Sequence, residues 1–132
     1  MRIIARLLAA SGRGPRRDAA AIADALQEAV RARPEHRAGR VHFQDSRTAG
    51  TVISGVLALA GEDREQVAAS LRSVLETVAR TYAAQPGSRT AFVRLEAHPE
   101  GDRGTRVMPA DVVAPATGPN VTTDDLAAHF GV

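Results

Sequence analysis

The side chains with the most chemical capacity recur at alternate positions in otherwise apolar runs. Arg6, His42, Gln44, Arg94, Glu96 and His98 all stand between residues such as Ile3, Ala5, Leu7, Val41, Phe43, Val93 and Leu95. Alternation with a period of two is the pattern of strands with one face buried, so the polar set is expected on the opposite, open face of one sheet, together with Phe92. Guanidinium groups beside a carboxylate and two imidazoles would suit a carboxylate or phosphate ligand, with His42 or His98 as the acid–base group. A solvated face with a cross-strand ion pair, or a dimer interface, accounts for the same residues without chemistry.

A second group is Arg13, Gly14, Arg16 and Arg17, in the loop Ser11–Arg17 that runs into a helix. Backbone N–H groups and the helix dipole favour anions at such a place. The loop lacks the spacing of either phosphate-binding glycine motif, and Pro15 removes one donor, so an ordinary loop is the plainer reading.

No further constellation is present. His36, His42, His98 and His129 have no metal-ligand spacing, and no serine lies in a G-x-S-x-G context. The chain has no cysteine, hence no disulfide, thiol nucleophile or thiolate site. No catalytic residue, metal or cofactor is assigned from the sequence.

Composition narrows the classes. One domain is expected from 132 residues, and with aromatics at only 3% and no Trp the core must be built from Ala, Val, Leu and Ile. The isoelectric point near 10.3 overstates basicity. Net charge is only +2, and all 17 basic residues are Arg, whose high pKa inflates the figure. Charge is uneven, however: residues 1–47 hold ten Arg against five acids, and residues 48–132 hold seven against ten. The basic first third would face an anion or an acidic partner, or simply water. The longest apolar run, Val52–Gly61, covers ten residues where a bilayer needs about 20. Met1–Ala10, broken by Arg6, does not read as a signal peptide, so a cytoplasmic, non-membrane protein is expected.

The elements that position these groups centre on Val41–Tyr82. Val67, Leu71, Val74, Leu75, Val78 and Tyr82 make one stripe of a helix over Glu65–Tyr82. Asp63 with Gln66 resembles a capping box, Glu76 and Arg80 are an i,i+4 pair, and Gln85-Pro86-Gly87 stops the helix. Before it, Arg40–Asp45 reads as a half-buried strand and Thr51–Ala60 as a central one. A helix remains compatible with the second run, and the β-branched residues and flanking glycines favour the strand. Ile3–Ala9 is a first strand, Arg16–Arg33 a helix with the stripe Ala19, Ile22, Leu26, Ala29 and Val30, and Arg89–His98 a last strand.

This order, βαββαβ, predicts an α+β domain over residues 1–98. It is the order of the ferredoxin-like fold: an antiparallel sheet with both helices on one face. Residues 99–132 form an extension: a turn, a short edge strand over Thr105–Met108, a proline-rich segment, and a short helix capped at Thr123. Leu126 and Phe130 are that helix's apolar contacts and candidates for docking a protein partner. Val121–Val132 resembles the opening of a helix-turn-helix, but the chain ends where a recognition helix would begin.

The reading that follows is a non-catalytic binding or assembly module, as a homo-oligomer, most simply a dimer, because the apolar surface exceeds what two helices cover. A small cofactor-free enzyme or ligand sensor with a pocket on the sheet face of a dimer is the alternative. A DNA-associated regulator comes last, nucleic acid being disfavoured by the charge.

Overall fold

The computed structural model describes residues 19–132. In chain order these form α1 (Ala19–Arg31), β1 (His36–Ala38), β2 (His42–Ser46), β3 (Gly50–Leu59), α2 (Arg64–Ala83), β4 (Phe92–Pro99), a 3-10 turn (Pro109–Asp111) and α3 (Thr123–Phe130). The expected strand Ile3–Ala9 and the loop Ser11–Arg17 lie outside the described residues.

Helix α2 forms where its stripe predicts, one residue longer at each end. Val67, Leu71, Val74, Leu75, Val78 and Tyr82 are all buried. Asp63 caps it by accepting the Gln66 N–H at 2.8 Å, while the Gln66 side chain accepts the N–H of Glu62 rather than of Asp63. Arg80 reaches Glu76 at 3.0 Å on the exposed side. Along α1, Ile22, Leu26 and Val30 are buried against the same core, as the three-and-four spacing requires.

Residues 50–59 are a strand, and a central one. β3 pairs antiparallel with β1 and with β2 along one side, and parallel with β4 along the other. The fold is therefore a mixed α+β one with a four-stranded sheet and helices. The strand order is not the ferredoxin-like one. That order needs the first strand between the third and the last, yet β3 and β4 are direct neighbours through eight positions, Val52–Phe92 to Leu59–Pro99. Element order does not encode adjacency. A parallel neighbour needs a long crossover, and α2 between the two strands supplies one.

The strand expected over Arg40–Asp45 is in fact the second part of a broken edge. β1 and β2 flank a break at Gly39–Val41, and β1, only three residues long and without apolar alternation, left no signal in the sequence. At the break the two backbones come very close. A Cβ on Gly55 (φ +155°) would lie 2.4 Å from the Arg40 carbonyl oxygen, and one on Gly39 (φ +99°) would lie 2.3 Å from that of Val56. Only glycine fits either place. Val41 is buried there, and its N–H donates to Oε1 of Gln27 on α1 at 2.7 Å, which replaces the missing ladder bond.

The C-terminal segment packs into the same core. Val107, Val113, Val121 and Leu126 join Leu57, Leu71 and Leu95 in one buried cluster. Val107 exchanges two backbone hydrogen bonds with Ala97, so the expected strand at Thr105–Met108 is reduced to a single bridge. The cap of α3 is Thr122, not Thr123; its hydroxyl accepts the Asp125 N–H at 3.3 Å while Asp125 accepts the Thr122 N–H at 2.9 Å. Thr123 turns inward and accepts the Ala91 N–H at 3.0 Å.

Gly55→Ala is expected to lower unfolding stability by about 2–3 kcal/mol, through strain and the collision with Arg40. Gly101 also has positive φ (+77°), but a Cβ there would meet nothing within 4 Å, so Gly101→Ala should cost only about 1 kcal/mol. Urea denaturation of both variants measures the difference, and equal losses would remove the role given to the close approach.

Candidate functional site

Both long helices lie on one side of the sheet, and the residues of β3 and β4 that join them in the apolar core are Ile53, Leu57, Leu59, Val93, Leu95 and Ala97. The alternate positions therefore face the other way. The pairing sets them in rows across the sheet: Gln44, Val52 and Phe92; then His42, Ser54 and Arg94; then Val56 and Glu96; then Ala38, Ala58 and His98. Adjacent strands are about 4.8 Å apart, so His42 and Arg94 are on the order of 10 Å apart at their backbones, with Ser54 between them.

Alternation thus places His42, Gln44, Phe92, Arg94, Glu96 and His98 on one face. It does not make them equivalent. His42, Gln44 and Arg94 are exposed; Glu96 is half-buried and stands 3.8 Å from Arg106, an ion pair not anticipated. His98 is only 9% exposed, with Nδ1 2.7 Å from the Pro99 carbonyl oxygen. It lies four residues beyond Arg94, roughly 13 Å along the strand, so His42, Glu96 and His98 do not converge on one point. Arg6, expected beside Arg94 and Glu96, lies outside the described residues, as do Arg13, Gly14, Arg16 and Arg17 of the anion loop.

The row His42–Ser54–Arg94 presents hydrogen-bond donors and a guanidinium that has no carboxylate partner among the described residues. The Arg94 guanidinium carbon sits 5.7 Å from the centre of the Phe92 ring, a cation–π contact that holds it along the surface. Around it are Phe92 and Val56, 37% and 40% exposed. Ser54, Val52 and Val56 were not singled out by the sequence. Their run is almost wholly apolar and hides which parity is buried, although the even positions 52, 54, 56 and 58 do form one set.

Comparison with protein-family models, curated proteins and solved structures gives no match for this chain. The site stands on its own geometry.

Two other kinds of place bear on the same chemistry. Among the described residues no three His, Asp or Glu side chains gather as a metal would need. A cavity of about 160 Å³ opens between the end of α2, residues 88–90 and the start of α3. Several of its polar groups are engaged within the chain: Tyr82 donates to the Arg89 carbonyl at 2.6 Å, Thr90 to Asp124 at 2.8 Å, and Thr123 accepts the Ala91 N–H at 3.0 Å. Leu126 is wholly buried in its own chain's core and so unavailable to a partner, while Phe130 is half-buried against that core.

Near the sheet edge, the titration of Glu35 is displaced. Burial raises its pKa, but Arg33, hydrogen-bonded to it at 3.2 Å, and a bond from Ser73 outweigh burial and hold it below the ordinary 4.5. A lowered folded-state pKa contributes stability above the unfolded value, lost as pH falls through the folded one. Glu35→Gln is therefore expected to reduce stability at pH 7 and to leave it unchanged at about pH 2–3 relative to the parent. Thermal melts across that range measure it; a constant difference at every pH would show that the charge is not what matters.

Proposed function

We infer that this protein is a non-catalytic binding or assembly module whose working surface is the open sheet face, and that the simplest occupant of that face is a second copy of the chain. The observation that carries this reading is the exposure of Val56 and Phe92, in the rows on either side of the His42–Ser54–Arg94 row, on a face that no described helix covers. Exposed apolar side chains interleaved with polar and cationic ones are a composition found at protein contact surfaces. Aromatic and arginine side chains are the types that carry most interface energy. Two such faces related by a twofold axis would cover each other's Val56 and Phe92, the self-complementary contact of a symmetric dimer.

Among the described residues no helix is long and apolar enough to cross a membrane. The imidazoles and Glu96 lie in separate rows, and this argues for recognition over acid–base chemistry on the face.

Light scattering of the full chain at micromolar concentration is expected to give twice the monomer mass. The double variant Val56→Glu, Phe92→Glu should give the monomer mass with unchanged far-ultraviolet circular dichroism, because both side chains already touch water in the protomer. A parent protein that is monomeric at that concentration would overturn self-association, and a dimer that survives the double variant would place it on another surface.

A further inference from the structure

Arg94 stands on a strand that is held from both sides. β4 pairs with β3 along one side. Along the other, Val93 N–H donates to Val121 O at 2.9 Å, Thr123 N–H to Ala91 O at 2.9 Å, and Ala97 and Val107 exchange bonds at 2.9 and 2.8 Å. A strand fixed in this way presents its side chains at defined places. The Arg94 guanidinium is exposed over the Phe92 ring and makes no ion pair or hydrogen bond among the described residues. Ser54, in register with it on β3, is half-buried, and its hydroxyl bonds no described residue. His42 continues the row on β2, exposed and likewise without a side-chain partner there.

Self-association through this face sets position and charge against each other. Val56 is in register with Glu96, four residues beyond Phe92 on β4. Val56 and Phe92 are therefore roughly 14 Å apart at their backbones, with Ser54 and Arg94 at the midpoint. A twofold axis that lets two copies cover both apolar side chains passes over that midpoint, whether Val56 meets Phe92 or each meets itself. It brings two Arg94 guanidiniums toward one another. The other charges of these rows do not cancel them, because Glu96 already stands 3.8 Å from Arg106. Each copy thus offers two guanidiniums to one carboxylate, and one positive charge per copy is left over however they pair. Enclosing such charges away from water is costly unless an opposite charge accompanies them.

We propose that the two sheet faces of the dimer enclose a site for a doubly charged tetrahedral oxyanion of the phosphate class, held by Arg94 and Ser54 of both copies. The inference rests on the self-association proposed above and names what that interface holds. Two surplus positive charges match the two negative charges of the ion. Guanidinium groups present paired N–H donors to phosphate oxygens, and the serine hydroxyls add two more donors. His42, one strand further out, stands at the rim. Neither copy alone builds the site, since one face offers a single guanidinium in water, where an ion pair is worth little. Binding therefore belongs to the dimer, and by mass action the ion tightens the association.

Sedimentation velocity of the full chain over a dilution series tests this. The dimer dissociation constant is measured in chloride, and again with about 20 mM inorganic phosphate at about pH 8 and the same ionic strength. Phosphate is expected to tighten the dimer at least about fivefold. Arg94→Gln should dimerise in chloride at least as tightly as the parent, because like charges have been removed, and should not respond to phosphate. A third series with glycerol 2-phosphate separates two sources of the ion. Tightening by inorganic phosphate alone assigns the site to the free ion, and tightening by the monoester as well assigns it to a phosphoryl group carried on a larger molecule. A parent dimer of equal strength in chloride and phosphate overturns the site and leaves self-association standing. A parent that is monomeric in both overturns self-association and the site with it. The parent's response is read on the unaltered protein, so it decides the matter even if the variant fails to fold. A phosphate response that survives Arg94→Gln also overturns the proposal.

Discussion

The constraint on which the rest depends is the direct parallel pairing of β3 with β4. Parallel neighbours cannot be joined by a tight turn, so the chain between them must climb over the sheet, and it does so as α2. A crossover lies on one side only. Once α2 has covered Ile53, Leu57, Val93 and Leu95, α1 packs beside it on that same side and Ile22, Leu26 and Val30 complete the core. The other side is left with Val52, Ser54, Val56, Phe92 and Arg94. That no described helix covers this face is therefore a product of topology.

A second constraint shapes the margin opposite β4. The backbone at Gly39–Arg40 bows in over β3, and the room for it exists because Gly55 carries no side chain. Breaking a ladder normally strands a backbone donor in the interior. Here Gln27 reaches across from α1 to accept the Val41 N–H, so the break is tied to the helix above it. Helix, broken strand and central strand thus fix one another through a single glycine contact and a single side-chain amide.

Much of the architecture was legible because it depends on local periodicity. The stripe Val67–Tyr82 gave α2 nearly to the residue, and the alternation of Val93 and Leu95 with Phe92 and Arg94 sorted β4 correctly into its two faces. What was illegible depends on partners distant in sequence. Nothing in the run Thr51–Ala60 says that its neighbour is residues 92–99 and not an earlier strand, and both give the same hydrophobic pattern. β1 was invisible because three polar or small residues at an edge bury almost nothing. Thr122 and Thr123 are adjacent and equally suited to capping; the choice falls to Thr122 because Thr123 is needed by the Ala91 N–H. On the face, parity located His42, Arg94 and Glu96, but it could not show that Arg106 arrives beside Glu96 or that His98 is covered.

The bonds that Val107, Val121 and Thr123 make along the outer side of β4 bear on how far any strand exchange could spread. A sheet open on both margins is a monomer in the polymer chemist's sense, able to accept on one side and offer on the other, and such units grow into fibres. Where one margin is already bonded by the chain itself, growth has a single direction and no continuation. Each molecule then behaves as a chain terminator, and stoichiometry is limited by the fold instead of by dilution.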